Sequence, residues 1–335
     1  MCSLFLGRKS SATKTIVPTY RLGAKGPEVA RIQEQLKFEG FYLGPVDGIF
    51  GGGTEAAARL FQRAKRLAID GQVGPHTWDV LFPGVPTPAP IILSESVQFR
   101  CMALTGSFET DHSFPDCFAG LSGDFDGQGI SFGVLQWNLG QGSLQPMLRK
   151  IIKAEPEIVE SIFAQNYEEL KSVLAASKSK QMDRARSIQN LKHILNEPWN
   201  GHFKTLGRQP LFQDVQVESA TRLFNSARAL CRDFGLLSAR AVALMFDIKV
   251  QNGSVSKLVK EQIKLDFAHI DPKVPSNDVE VERLRIIANR RASAAKDEWV
   301  EDVRTRKLTI ANGEGTVHSN FYDLKEQYGL GLEPY

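Results

Sequence analysis

Apolar positions in the first quarter of the chain fall at helical spacing in three short stretches. Val29, Ile32, Leu36 and Phe38 share one face of a helix that ends at Gly40. Thr54 reads as the N-cap of a second helix, with Ala57, Leu60, Phe61 and Ala64 on one face. Pro75 and Thr77 open a third, short helix that carries Trp78 and Leu81. Residues 21–83 therefore form a three-helix module behind an N-terminal tail, residues 1–20. Residues 84–95, which open Gly84-Val85-Pro86-Thr87-Pro88-Ala89-Pro90 directly after Pro83, cannot continue a helix. They read as an extended, semi-rigid linker that holds the module away from the rest of the chain.

The remainder, residues 96–335, is patterned mostly as helix. A helix over 98–108 carries Phe99, Met102, Ala103 and Phe108, and one over 214–234 lines up Val217, Ala220, Phe224, Ala227 and Cys231. Ser238 caps an unusually apolar helix over 239–251 that stops at Asn252-Gly253, and 279–300 forms another long amphipathic helix. Strand-like alternation is weak except in the glycine-rich region from Leu121 to Trp137, which suits a small hairpin. The fold class expected is mainly α: a three-helix module plus an α-rich domain with a small β region.

A repeat punctuates the module. Asp47-Gly48-Ile49-Phe50-Gly51 recurs as Asp70-Gly71-Gln72-Val73-Gly74, 70 − 47 = 23 residues later. Each copy is a turn in which glycine supplies a positive φ and aspartate can bond the backbone after it. With Gly26-Pro27-Glu28-Val29, Gly40-Phe41-Tyr42, Thr54-Glu55-Ala56-Ala57, Phe61-Gln62 and Thr77-Trp78, these residues closely resemble the type 1 peptidoglycan-binding domain from Leu22 to about Phe82. Gly52-Gly53 departs from the family, which more often has a proline or a basic residue there. The resemblance implies binding of peptidoglycan stem peptide or glycan, with Tyr42, Asp47, Asp70 and Trp78 as candidate wall-binding residues.

The second domain places its candidate chemistry between residues 107 and 137. Glu109 follows Phe108 at a helix end, where apolar neighbours would raise its pKa by desolvation, as a general acid at neutral pH needs. A second carboxylate, Asp126 or else Asp124, follows on a glycine-rich turn, and glycosidic cleavage needs such a pair flanking the scissile bond. Glu109 and Asp126-Gly127-Gln128-Gly129, 126 − 109 = 17 residues apart, resemble the acid pair of the lysozyme superfamily, within it the family 46 chitosanases and chitosanase-like muramidases. Ser131-Phe132-Gly133-Val134-Leu135-Gln136 is similar to a stretch of lytic transglycosylases and goose-type lysozymes. That resemblance implies a lysozyme-like catalytic domain in which Ser131 and Gln136 position substrate. Trp137 either stacks on a sugar or belongs to the core.

Asp247 and Gln251 lie four apart on one face of the apolar helix. They either contact sugar hydroxyls or serve structure, Asp247 pairing with a buried arginine such as Arg222 or Arg290. Residues 306–318 resemble the closing segment of chitosanase-like wall hydrolases, with His318 read as a packed surface histidine. Asp124, Asp126 and Gln128 alternate as a calcium loop would, but position twelve is Leu135. No metal and no cofactor is expected: the six histidines lack zinc spacing, and no Gly-x-Ser-x-Gly elbow or P-loop occurs.

A net charge of +3, from 41 basic and 38 acidic residues, gives no case for nucleic acid but suits an anionic cell wall. No apolar run is long enough for stable membrane insertion. Leu4-Phe5-Leu6, followed by Arg8-Lys9, is too short for a signal-peptide core. A protein made in the cytoplasm would then reach the periplasm or wall of a host or target bacterium as a phage endolysin or as a type VI secretion effector, the latter with an immunity protein as partner. Free buried thiols are expected, although Cys101 and Cys117 are close enough in sequence to pair. The function expected is a peptidoglycan-cleaving muramidase. A lytic transglycosylase using Glu109 alone, a chitosanase and a non-catalytic wall-binding protein are the alternatives.

Overall fold

The computed structural model describes residues 19–334. The tail through residue 18, with Cys2 and the segment weighed as a signal peptide, lies outside the described residues. The architecture is mainly α with two small antiparallel sheets, as expected. The N-terminal module comprises α1 (Pro27–Phe38), α2 (Gly52–Ala64) and α3 (Pro75–Leu81) around a core of Val29, Ile32, Leu36, Phe50, Phe61 and Trp78.

The repeat is built around two buried glutamines. Gln33 Nε2 donates to Asp47 Oδ1 at 2.8 Å, Ile49 O at 3.0 Å and Thr54 Oγ1 at 3.1 Å, while its Oε1 accepts from Gly48 N at 2.8 Å. Gln62 repeats the pattern, donating to Asp70 Oδ1 at 2.8 Å, Gln72 O at 2.8 Å and Thr77 Oγ1 at 3.2 Å, and accepting from Gly71 N at 2.9 Å. Each glutamine thus satisfies a turn that would otherwise bury unpaired backbone groups, a loss of about 1–3 kcal/mol apiece. Thr54 is tied into this network inside α2, and the N-cap is Gly51.

The second domain has two cores. The first gathers α4 (Val97–Thr110), α11 (Ala239–Asn252), α12 (Lys257–Phe267), α13 (Ser276–Ser293) and α14 (Val300–Asn312). The second gathers α5 (Leu144–Ala154), α6 (Pro156–Phe163), α7 (Tyr167–Ala175), α8 (Lys178–Ser187) and α9 (Trp199–Arg208). The 24-residue α10 (Pro210–Asp233) spans both, giving Phe212 and Val215 to the second core and Ala220, Phe224, Ala227 and Leu230 to the first. The helix expected over 279–300 instead ends at Ser293 and is followed by a separate α14.

Between the lobes runs the sheet of β1 (Leu121–Ser122), β2 (Ser131–Phe132) and β3 (Trp137–Asn138). Gln216 of α10 stitches it to the first lobe: Oε1 accepts from Val134 N at 2.8 Å and Nε2 donates to Phe118 O at 3.1 Å. Gly133, at φ +88°, leaves room for that amide, since a Cβ there would sit 2.6 Å from Gln216 Oε1. A second hairpin, β4 (Glu314–Val317) with β5 (Asn320–Asp323), precedes α15 (Leu324–Tyr328). Weak alternation in this segment hides it in the sequence. Cys101, Cys117 and Cys231 are buried free thiols.

The linker does not hold the module away. Trp78 Nε1 donates to Val85 O at 3.0 Å and Tyr20 OH to Pro88 O at 2.7 Å, so the proline-rich segment lies back on the module. The module in turn packs on the β4–β5 hairpin and α15. Arg21 Nη2 reaches Asp323 at 2.7 Å and Glu326 at 3.1 Å, Lys25 Nζ reaches Asn320 Oδ1 at 2.8 Å, and Gln327 Nε2 reaches Gly23 O at 2.8 Å. Gly23, at φ +90°, permits this approach, because a Cβ would come within 2.8 Å of Phe321 Cδ1.

Candidate active site

Glu109 lies in the last turn of α4, and Asp111 ends that helix in the left-handed conformation. The carboxylate is 34% exposed and pairs with Arg306 Nη1 at 2.8 Å. The apolar pocket expected around Glu109 is therefore absent; its partner is a guanidinium from α14. Arg306 packs its charge over the Phe108 ring at 5.0 Å and is itself held by Asp247, with Nη2 to Oδ1 at 2.6 Å and Nε to Oδ1 and Oδ2 at 3.0 and 3.1 Å. Lys307 Nζ also donates to Asp247 and to Gln251 Oε1, the latter at 2.6 Å.

Asp247 is fully buried, and this corrects its assignment as a sugar contact. Arg306, Lys307 and Thr105 surround its carboxylate, so a substrate hydroxyl has no access. The partners suggested from sequence also change. Arg222 is exposed, and Arg290 pairs with Asp266 at 2.5 Å. Burial pushes the Asp247 carboxyl up, but Arg306 and Lys307 outweigh it and hold the group below its ordinary range. Burial likewise presses the Lys307 ammonium down, to about 8, against the pull of Asp247.

The two loop acids separate clearly. Asp124 accepts from Arg186 Nε at 2.6 Å and from Gly129 N at 2.6 Å, and the Arg186 bond keeps its pKa below the ordinary carboxylate value. It fastens the β1–β2 loop to α8 of the second lobe. Asp126 is exposed and, among the described residues, accepts from the amide of Gln128, at 3.1 Å. Of the pair, Asp126 is the one free to meet a substrate or a water. Glu109 ends α4 of the first lobe, and the loop that bears Asp126 is tied to α8 of the second through Asp124. No group of three or more His, Cys, Asp or Glu among the described residues is placed to hold a metal ion.

The segment from Ser131 to Trp137 is chiefly structural. Ser131 is buried in the middle strand, which corrects its reading as a substrate contact. Gln136 accepts from Ser122 Oγ at 2.8 Å and donates to Gly133 O at 2.9 Å, so both ends of its amide serve the sheet. Trp137 packs against both cores, which favours its structural alternative. Gln251, among the substrate-contact candidates, lines an open cavity.

His318 belongs to the site's surroundings in a way its sequence position does not reveal. It occupies the two-residue turn of the β4–β5 hairpin at φ +47°, followed by Ser319 at +67°. Its Nε2 meets Asp302 of α14 at 2.9 Å and its Nδ1 meets Asp111 at 3.2 Å. Only the imidazolium can donate to both carboxylates. The hydrogen bond to Asp302, then the charge of Asp111, raise its pKa above 6.5. Because the folded value exceeds the unfolded one, this clamp stabilises fully below about pH 6.5 and is lost as pH rises through the raised value. The Tm advantage of wild type over His318→Ala is therefore expected to be largest near pH 5–6 and to vanish in alkaline buffer, as differential scanning calorimetry would show.

Residues 25–81 match the family model described as "Putative peptidoglycan binding domain". The N-terminus carries a peptidoglycan-binding domain. Over 59 residues, 18% of this chain and 23% of the relative, the chain is 48% identical to a spore cortex-lytic enzyme of Bacillus cereus. It is 41% identical over 75 residues to the N-acetylmuramoyl-L-alanine amidase CwlM of Mycobacterium tuberculosis, covering 19% of this chain and 18% of the relative. The chain thus spans under a quarter of the length of these curated relatives. Among solved structures, a GH46 chitosanase of Gynuella sunshinyii in complex with chitotetraose aligns over 69% of this chain and 98% of its own, with a TM-score of 0.40 and 13% identity. A Burkholderia AP3 phage endolysin aligns over 86% and 98%, with a TM-score of 0.19 and 16% identity.

Within the peptidoglycan-binding domain, the four candidate wall-binding residues serve structure. Trp78 is fully buried in the core and Tyr42 is nearly so, its hydroxyl donating to Pro45 O at 2.9 Å. Asp47 Oδ1 and Asp70 Oδ1 brace the two repeat turns, accepting from Ile49 N at 2.9 Å and Gln72 N at 2.8 Å. Burial corrects those assignments for Trp78 and Tyr42, whereas Asp47 and Asp70 are exposed. Asp70 also borders an open groove of about 480 Å³, whose lining includes Arg66, Gln72, His76 and Thr77.

Proposed function

We propose that this chain is a cell-wall glycoside hydrolase, a muramidase that cuts the glycan strands of peptidoglycan. The observation that carries the reading is the pairing of a peptidoglycan-binding domain with two carboxylates of the domain it packs against, Glu109 at the end of α4 and Asp126 on the loop tied to α8. The motif resemblance of residues 107–137 to the lysozyme superfamily supports the same chemistry. Protonated Glu109 gives its proton to the glycosidic oxygen as the bond from that oxygen to the anomeric carbon breaks. Asp126 stabilises the oxocarbenium-like state or takes a proton from the water that adds to the anomeric carbon. The products are a free alcohol on one fragment and a new reducing end on the other. Arg306, fixed by Asp247, aims Glu109 and touches no reacting atom in this scheme.

The protein acts in this reading in the wall of a host or target bacterium, delivered by phage lysis or by type VI secretion. Injection into a rival calls for a cognate immunity protein. No helix among the described residues is long and apolar enough to cross a membrane.

Digestion of purified peptidoglycan, with fragments identified by mass spectrometry, tests the proposal. Muropeptides with reducing ends are expected. Anhydro-muropeptides would replace hydrolysis by transglycosylation through Glu109 alone. Glucosamine oligomers released from soluble chitosan, with the wall untouched, would make the enzyme a chitosanase. No soluble fragments from either would leave a wall-binding protein.

A further inference from the structure

A cavity of about 440 Å³ opens next to the Glu109 network, with Gln251, Asn252, Arg291, Lys296, Trp299 and Asp302 in its lining. Its wall is continuous with that network. Asp302 and Arg306 are four residues apart on α14, hence on one face, one turn from each other. Gln251, which accepts from Lys307, also lies 3.5 Å from Asp302 through its amide nitrogen. The cavity is thus about one helical turn, ~5.4 Å, along α14 from the arginine that holds Glu109.

Three side chains here are short of cover or of partners. Trp299 is 56% exposed at the rim. Arg291 Nε and Asn252 Oδ1 are buried with no hydrogen-bond partner. Burial lowers the pKa of the Arg291 guanidinium, and no carboxylate beside it offsets that. Its neighbour Arg290, by contrast, is paired with Asp266. Asp302, the one carboxylate of the lining, is already engaged by His318. A partly desolvated cation without a partner is costly, and an entering anion offsets that cost. An open aromatic face with a guanidinium beside it suits a sugar ring that bears an acidic substituent.

We propose that this cavity is a subsite for the carboxylate-bearing stem peptide of the glycan strand, with Arg291 pairing a stem carboxylate and Trp299 packing on the adjoining sugar. The inference rests on the hydrolase reading and sharpens it. It makes the enzyme prefer muramyl-peptide strands over uncharged or cationic amino-sugar polymers.

Two measurements on the full chain test it. Arg291→Gln is expected to raise KM about tenfold on intact peptidoglycan, with kcat within about twofold, and to leave both unchanged on strands stripped of their stem peptides. In the Glu109→Gln background, calorimetric titration with muramyl dipeptide should show a weakening of similar size for Arg291→Gln, partly restored by Arg291→Lys. An equal loss on stripped strands, or no loss on intact ones, would overturn the proposal. If wild type cuts no wall at all, the hydrolase reading fails, and the titration still decides the subsite. A muramyl dipeptide affinity that Arg291→Gln lowers supports it, and one that Arg291→Gln leaves unchanged refutes it.

Discussion

Asp247→Ala is expected to destabilise the second domain by about 3–5 kcal/mol, more than any other substitution proposed for this chain. The carboxylate removed is fully buried and is the shared partner of two buried cations, Arg306 and Lys307. Without it Lys307 keeps only the Gln251 oxygen and Arg306 only the partly exposed Glu109, in a low-dielectric interior where an under-compensated charge costs more than a surface pair ever returns. Lys307 can lose its proton, since its pKa is already near 8, but Arg306 cannot. Lys307→Met, which leaves the Arg306–Asp247 pair whole, should cost distinctly less. Urea unfolding of the three proteins at neutral pH separates these cases, and equal losses for the two variants would show that the network does not depend on Asp247. The same arrangement fixes the sign of the pH dependence. The Asp247 carboxyl is held below its ordinary value of 3.8, so its contribution is present above that value and disappears as pH falls through the depressed one. The histidine clamp runs the other way, so two points one turn apart on α14 respond to opposite ends of the pH scale.

Much of this is legible in the sequence where the signal is local. Ser238 caps α11 by accepting from Ala241 N at 3.0 Å, as its place before an apolar run implies, and the period of apolar residues in α4 and α10 locates both helices to within a few residues. Glycine-flanked alternation finds the β1–β3 region. Long-range pairing is what stays hidden. Nothing local distinguishes Arg306 from the half-buried Arg304, yet 59 residues separate it from Asp247 and 197 from Glu109 by position along the chain, 306 − 247 and 306 − 109. The Asp-Gly repeat reads correctly as a turn, but its aspartates look like wall contacts, because the glutamines that use them, Gln33 and Gln62, sit on helices where a polar residue looks like surface. Tyr42 and Trp78 mislead for a related reason. A conspicuous aromatic in a small module is as useful to its core as to its ligand, and burial decides for the core.

Glu109→Gln is expected to lower the rate of peptidoglycan cleavage by about 10²–10⁴-fold while leaving the fold intact. The amide keeps the size of the side chain and an oxygen that can accept from Arg306, so the geometry survives, but no proton is available for the leaving oxygen. The cost in stability should stay below about 1 kcal/mol, because the ion pair it weakens is one-third exposed at Glu109. This combination of large kinetic and small thermodynamic effects sets Glu109 apart from Asp247, whose loss damages both, and it gives the Asp126 variant its meaning. In a hydrolase with two acids, Asp126→Asn should also fall steeply, since no group would then assist water or the oxocarbenium-like state. In a transglycosylase Asp126→Asn stays active. Asp124→Asn should act differently again, through loosening of the loop from Arg186, and so lower thermal stability more than turnover. A Glu109→Gln protein that clears peptidoglycan at the wild-type rate would remove the acid from the mechanism and the glycosidase from the domain. The peptidoglycan-binding domain would then be the part of the chain that acts on the wall.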